Sequence, residues 1–360
     1  MSIIGKSPSI WLALICAALA TARLSAAPAG INDGPYISFT NNKLEAVWLC
    51  DGQVKREHDV VSALPKTFSQ CGLSAEINSL NPAPQELEYN GDFPIAAISD
   101  IHGQFDLMIK LLVNNGIVDT GGNWAFGRGH FMVAGDIFNR GDKVTEALWF
   151  LYRLEQQARV AGGHVHILLG NHEVMVLNND LRYAHKKYHQ VAELLERPFA
   201  SLFRADTVLG TWLRSKPAAI KLNKKLFVHG GISPSLLEMA DPLISINTVF
   251  TDHLVEDELE KSREGIANYI YGRNGPVWYR GYFRTDGAST DDVEEQLEHF
   301  QVSHIIVGHT SQKTIETRHR GMIVAIDASM KKGQYGELLF IDGDRMWRGS
   351  LMGERLPLVK

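Results

Sequence analysis

Five short stretches carry side chains suited to binding metal ions or moving protons. "SDIHG" offers Asp100 and His102, and "GDIFNRG" offers Asp136, Asn139 and Arg140. "GNHE" offers Asn171, His172 and Glu173, while "HGG" and "GHT" add His229 and His309. Carboxylate, imidazole and amide donors without a thiolate suit Mn, Fe or Zn, and the residue types do not choose among them. Each stretch also has a plain reading. Asp-x-His-Gly serves as a turn with a helix cap, Asn-His as a helix start, and a lone His as a buried, hydrogen-bonded imidazole. His166, His185, His189, His299, His304 and His319 stay in that plain class. The metal reading rests on all five motifs together, in order.

The elements that position them read as alternating strand and helix. Buried-strand runs occur at 94–99, 130–135, 165–170, 224–230 and 304–309, and each motif stands at the carboxyl end of one of them. Helical spacing falls between the first three, at 104–114 and 142–158. That alternation predicts βαβ units around a mostly parallel central sheet, with the site where strands end. Residues 172–216 read as helical with a break at Pro198, followed by helix or loop to about residue 275. Strands return at 322–327, 336–342 and 345–349, the last two joined by a Gly343-Asp344 hairpin turn. Ahead of the alternation, residues 35–56 predict a hairpin turning at Asp51-Gly52, and the Pro- and Asn-rich stretch to residue 93 reads as a linking segment. The expected organisation is therefore residues 1–26, 27–93 and 94–360.

Residues 1–26 have the layout of a secretory signal peptide: Lys6, an apolar run from Ile10 to Ala22, then small residues up to Ala26. The run is short for a bilayer span, so a stable membrane anchor is not expected. An exported, periplasmic or secreted protein is. Cys16 lies within the leader, leaving Cys50 and Cys71; in an oxidising compartment they form either one disulfide or two buried thiols. A net charge of −5 argues against a nucleic-acid surface but not against a small phosphorylated substrate held by local positive charge.

The ordered set "SDIHG…GDIFNRG…GNHE…HGG…GH" resembles the metallophosphoesterase superfamily, in its phosphoprotein phosphatase branch. "GNHEVM" with "DLRYA" after it, and "GPVWYRG" at 275–281, resemble the Shewanella-like protein phosphatases. The likeness covers about residues 94 to 349. It implies a four-layer α/β sandwich with a dinuclear metal site at strand carboxyl ends, and hydrolysis of phosphomonoesters on proteins. By the same resemblance, one metal takes Asp100, His102 and Asp136; the other takes Asp136, Asn171, His229 and His309, with Asp136 bridging. Two such cations neutralise phosphoryl oxygens and activate a water at neutral pH. Arg140 and Arg280 become substrate clamps, since a guanidinium fork matches two phosphoryl oxygens. The resemblance makes Asn171 a candidate substrate-binding residue as well as a metal ligand.

One position departs from the pattern. Where the related motif usually reads "GDxxDRG", this chain has Asn139. His172 is the expected general acid, and an amide partner brings it no charge. A phenol needs protonation on departure less than an alkoxide does, so the expected preference is for aryl phosphates, phosphotyrosine included. Phe138, Tyr183 and Tyr279 are placed near the expected mouth. Two other functions share the frame: a dinucleoside polyphosphate hydrolase, which the "GNHE" form and export disfavour, and a non-catalytic phosphoprotein-binding protein, which the complete ligand set disfavours.

Overall fold

The computed structural model describes residues 1–2, 30–41, 43–61, 64–239 and 243–359. The expected signal peptide, with its apolar run and Cys16, lies almost entirely outside the described residues. Among the described residues, no helix is long and apolar enough to cross a membrane.

The chain opens with β1 (Asp33–Thr40), β2 (Lys43–Cys50) and β3 (Gln53–Val60), an antiparallel three-stranded sheet whose second turn is at Asp51-Gly52. The expected hairpin is thus its latter part, extended by one strand. Residues 57–93 are more structured than a linker. They contain the hairpin β4 (Lys66–Gln70) and β5 (Leu73–Ile77), then β6 (Glu88–Tyr89). Leu87, Tyr89 and Phe93 pack against the buried core, which gives this segment a reason to be ordered despite its prolines. A disulfide joins Cys50 at the end of β2 to Cys71 in the β4–β5 turn.

The alternating part follows the sequence reading closely: β7 (Ile95–Ile98), α1 (Phe105–Asn114), β8 (His130–Val133), α2 (Val144–Val160) and β9 (His164–Ile167). Next come α3 (Asn171–Leu177), α4 (Lys186–Leu194) and, past a 3-10 turn opened by Pro198, α5 (Val208–Arg214). The remaining strands are β10 (Ala219–Leu222), β11 (Lys225–Val228), β12 (His304–Val307), β13 (Glu316–Arg318), β14 (Ile323–Ala325), β15 (Leu338–Asp342), β16 (Arg345–Gly349) and β17 (Arg355–Pro357). The β15–β16 hairpin turns at Gly343-Asp344 as expected.

The described residues form two six-stranded sheets, ordered β17-β16-β15-β7-β8-β9 and β13-β14-β12-β11-β10-β6. Each holds a parallel block, β7–β8–β9 and β11–β12–β14, flanked by antiparallel strands, so the single mostly parallel sheet becomes two mixed ones. The pleat explains why. On β7, Ile95 and Ala97 join one buried cluster, and Ala96 and Ile98 another. Met132 on β8, Phe227 on β11, Ile306 on β12 and Val324 on β14 belong with Ile95, while their neighbours Phe131, Val228, Ile305 and Ile323 belong with Ile98. Alternate residues thus face the other sheet or the helices, and both faces are apolar because both are covered. The result is helix, sheet, sheet, helix.

The amino-terminal sheet shares the helix-side core. Trp149 of α2 donates to the carbonyl of Pro35 at 2.9 Å, and Phe39 N–H donates to Asp206 O at 2.9 Å.

Candidate metal and phosphate site

All five motifs meet at one end of the two sheets, because the parallel strands of both run toward it. The connections there are tight. Asp100, His102, Asp136, Asn139, Arg140 and His309 adopt left-handed backbone angles, with φ between 49° and 71°. Such conformations cost energy in non-glycine residues and persist only where surroundings enforce them. Gly135 has φ +91°, and a side chain there would place its Cβ 2.6 Å from the Gly170 nitrogen. Glycine before Asp136 lets two motif loops touch.

Glu173 supplies the enforcement. Its carboxylate accepts from the backbone N–H groups of Asp136 (2.8 Å), Ile137 (2.7 Å), Phe138 (3.0 Å) and Gly170 (2.6 Å). This acid is fully buried with both oxygens engaged, so it shapes the Asp136 loop and caps α3 rather than facing the site.

The donors converge on Asp136. His229 Nε2 lies 3.3 Å from its Oδ1, and His102 and His172 Nε2 lie 3.6 and 3.8 Å from its Oδ2. Asn171 Oδ1 is 3.1 Å from His229 Nε2, and Asp100 Oδ1 is 3.7 Å from His102 Nε2. Donor atoms of His102, Asp136 and His172 lie within 4.8 Å of one another, as do those of Asp136, His229 and His309. Asp136 is common to both groups. By distance alone His172 is as close to the first group as a ligand would be, so proximity does not separate an acid role from a ligand role.

Backbone carbonyls orient the rings. His102 Nδ1 donates to Phe138 O at 2.8 Å and His229 Nδ1 to Ala134 O at 2.7 Å. Because a carbonyl only accepts, each Nδ1 keeps its hydrogen and turns the Nε2 lone pair inward. His309 is reversed: its Nε2 faces Trp278 O at 3.2 Å, leaving Nδ1 for the site. Asp100 is held by Ser99 Oγ at 2.6 Å and by the backbone N–H of His309 at 2.8 Å, both on Oδ2.

The electrostatics call for cations. Burial, with Asp327 and Asp136 nearby, pushes the Asp100 carboxyl well above its usual range. Burial also works against the Asp136 charge, yet His229 and His172 hold this carboxyl well below the usual range. His229 is buried, which disfavours its charge, but Asp136 raises it to about 9. Burial lowers His102 to about 3 and His309 well below the ordinary histidine value. A proton on His229 is what these carboxylates demand, and divalent cations meet the same demand with more charge. Donor types, spacing and inward lone pairs therefore fit two metals.

Asn139 Nδ2 lies 2.8 Å from His172 Nδ1. With the amide nitrogen donating, Nδ1 accepts, and the proton of a neutral His172 resides on Nε2, facing Asp136. Burial and Arg140 outweigh Asp136 and lower His172 to about 4. Tyr183 tilts over His172 with ring centres 5.3 Å apart, and the Arg140 guanidinium sits 5.2 Å from the Tyr183 ring. Arg140 and Arg280 are exposed at the mouth. Burial of part of Arg280 lowers its pKa, while Asp136 and Asp100 favour its charge. Tyr183 is 44% exposed, so it is available to a ligand; Phe138 is fully buried and Tyr279 nearly so, which places both in the core.

Asp327 escaped the sequence reading. It is fully buried at the end of β14, bonded to Ser311 and to the Ser329 N–H, and it acts electrostatically on Asp100. The signal was present, since "MIVAID" also ends a strand with an acid. A cleft of about 760 Å³ lined by His304, Arg318 and Met346 lies at the opposite ends of the strands, away from these donors.

Residues 93–313 match the calcineurin-like phosphoesterase family model. The chain belongs to that family. Members similar to it include Shewanella-like protein phosphatase 2 of Arabidopsis thaliana, 30% identical over 329 residues, covering 76% of this chain and 82% of that protein. Among solved structures, a cold-active protein-tyrosine phosphatase of a psychrophilic Shewanella species superposes with a TM-score of 0.86 at 39% identity, covering 91% of this chain and all of that one. A symmetrical bis(5'-nucleosyl)-tetraphosphatase of Vibrio cholerae is 32% identical over 141 residues, 38% of this chain and 44% of that protein. As a calcineurin-like phosphoesterase of the Shewanella-like phosphatase type, the chain is a metal-dependent hydrolase of phosphomonoesters.

Proposed function

We propose that this phosphatase acts on phosphorylated proteins or peptides and favours aryl phosphates, phosphotyrosine included. The observation that carries the preference is the 2.8 Å contact between Asn139 and His172. The substrate class is supported by the extended likeness to proteins described as protein phosphatases, against a likeness to the nucleosyl tetraphosphatase confined to 38% of the chain.

Asp100, His102, Asp136, Asn171, His229 and His309 would hold two divalent ions, Mn, Fe or Zn. When bound, they would supply a water-derived nucleophile at neutral pH and neutralise phosphoryl oxygens. Arg140 and Arg280 at the mouth grip the phosphoryl group, their charge balancing that of the transition state. Asn171 Oδ1 lies 3.1 Å from His229 Nε2, so these two donors would serve the same ion. Protonated His172 would give its Nε2 proton to the leaving oxygen and return to the neutral ring. Burial and the lack of a carboxylate partner disfavour the imidazolium, so leaving groups that depart unprotonated gain most. The exposed Tyr183 ring beside His172 offers an aryl leaving group a stacking face.

We place the protein outside the cytoplasm. The leader-like residues 1–26 and the Cys50–Cys71 disulfide support this together, since such bonds persist in oxidising compartments.

A metal-reconstituted mature protein assayed on matched phosphotyrosine, phosphoserine and phosphothreonine peptides, diadenosine tetraphosphate and p-nitrophenyl phosphate tests the reading. Phosphotyrosine should give the highest kcat/KM. Preferred cleavage of the dinucleotide would replace the proposal with polyphosphate hydrolysis, and peptide binding without turnover of any ester would make the protein a binding module.

A further inference from the structure

Beside the mouth, a recess of about 220 Å³ is lined by Arg273, Trp278, Arg280, Arg284 and Asp286. Three guanidinium groups against one carboxylate is an unusual local balance in a chain of net charge −5. Two of the lining residues tie the recess to the proposed metal centre. Arg280 senses Asp136 and Asp100, and the Trp278 carbonyl faces His309 Nε2 at 3.2 Å.

The loop that carries these arginines is fixed. Gly230 and Gly231, directly after His229, both donate backbone bonds to Pro276 O, at 2.7 and 3.1 Å. The Ala288 N–H closes the far end on Gly281 O at 3.2 Å. The backbone of this loop is therefore anchored to the strand end that carries His229.

The charge in it is incompletely compensated. Arg284 is engaged by Asp286 through two bonds of 2.9 and 2.8 Å, both partners largely exposed. Arg273 adds its charge to the field on Asp286, and among the described residues neither Arg273 nor Arg280 forms an ion pair. With Arg280 directed to the reacting phosphoryl group, Arg273 and Arg284 are left facing a cavity with one acid between them. A guanidinium pair in a fixed recess is a receptor for a carboxylate or phosphate.

We propose that Arg273 and Arg284 form a substrate subsite for a second anionic group carried on the same phosphopeptide, either an acidic side chain or a second phosphate. The subsite rests on the phosphoprotein reading above. Asp286 holds Arg284 in place and lowers the net charge of the recess, so it weakens binding of that second anion while limiting capture of unrelated polyanions.

The test uses phosphopeptides with Glu, a second phosphoresidue or Gln at each position from three before to three after the reacting residue, assayed on the metal-loaded enzyme. One or two positions should show a kcat/KM advantage of about fivefold per added charge over Gln, the scale of a partly exposed charge pair, shrinking as salt is raised. The size of the Glu and phosphate arms identifies which anion is preferred. Arg273→Ala with Arg284→Ala should abolish the advantage and leave p-nitrophenyl phosphate turnover unchanged. Asp286→Asn should enlarge it, and Arg273→Glu should transfer it to Lys-bearing peptides.

An advantage that survives the double alanine variant would overturn the subsite, as would acidic peptides no better than Gln peptides while all are turned over. If p-nitrophenyl phosphate is cleaved and no phosphopeptide is, the phosphoprotein reading fails first and takes the subsite with it.

Discussion

The side-chain amide of Asn139 lies 2.8 Å from Nδ1 of His172, presenting a neutral group where a carboxylate would set an imidazolium. Asn139→Asp should therefore stabilise the protonated ring, move the basic limb of the kcat/KM profile to higher pH, and raise turnover of alkyl phosphates more than of aryl ones. Parallel pH–rate profiles on p-nitrophenyl phosphate and a phosphoserine peptide measure both effects. Equal changes for both esters without a pH displacement would remove Asn139 from the mechanism.

Asp136 stands in both donor groups, with one oxygen toward His229 and the other toward His102 and His172. Asp136→Asn puts a neutral amide between two cations. It should abolish turnover and reduce bound metal, read by elemental analysis of dialysed protein. Near-normal activity with two metals retained would contradict a bridging role.

Arg140 touches none of those donors and is exposed beside Tyr183. Arg140→Ala should lower kcat/KM by roughly two to three powers of ten, the scale of a single oxyanion donor, with metal content unchanged. Loss of metal in this variant would make Arg140 a structural residue.

Glu173 accepts from four backbone N–H groups, three of them on the loop that carries Asp136. Glu173→Gln keeps the shape but removes the charge and turns one acceptor into a donor facing a donor. Unfolding free energy should fall by on the order of 2–3 kcal/mol, and metal affinity with it. Denaturant unfolding and metal titration check the pair; a stable variant that binds metal normally would show that the loop needs no such brace.

At the other end of β8 and β9, His166 Nε2 meets His130 Nδ1 at 2.8 Å, with Phe93 stacked on His130 and His164 close by. Burial lowers all three, His130 to about 4. The unfolded chain binds these protons more readily, so their contribution to stability is complete above pH 6.5 and is lost as pH falls toward 4. Melting temperature should drop across that window, and His130→Phe should flatten the slope. An unchanged slope would place the acid sensitivity elsewhere.

Strand ends and motif order were legible because both are local. An apolar run such as "HILLG" declares a strand from its own residues, and a polar cluster after it is visible without a partner. The strand–helix alternation from 94 to 170 reads the same way in sequence and structure, and the two sides of each strand were apolar enough to demand cover on both. Less could be read where an element depends on what it pairs with. Glu88–Tyr89 has two residues and no periodicity, and it becomes β6 only because β10 lies alongside it. The division of the strands into two sheets likewise has no local signature, since Ile95 and Ile98 look alike in sequence and differ only in which layer covers them. Glu173 shows the same limit at the site. Its motif marked it as a metal-binding or proton-carrying acid, but the N–H groups of Asp136, Ile137 and Phe138 on another loop, with that of Gly170, decided that its charge would be spent on the backbone. Residue types determined which chemistry was available. Tertiary packing decided which nitrogen of each histidine faces inward, that Asn139 offers its amide to His172, and that three arginines on one loop line a recess beside the mouth, because each of these depends on distances between segments that sequence leaves unspecified.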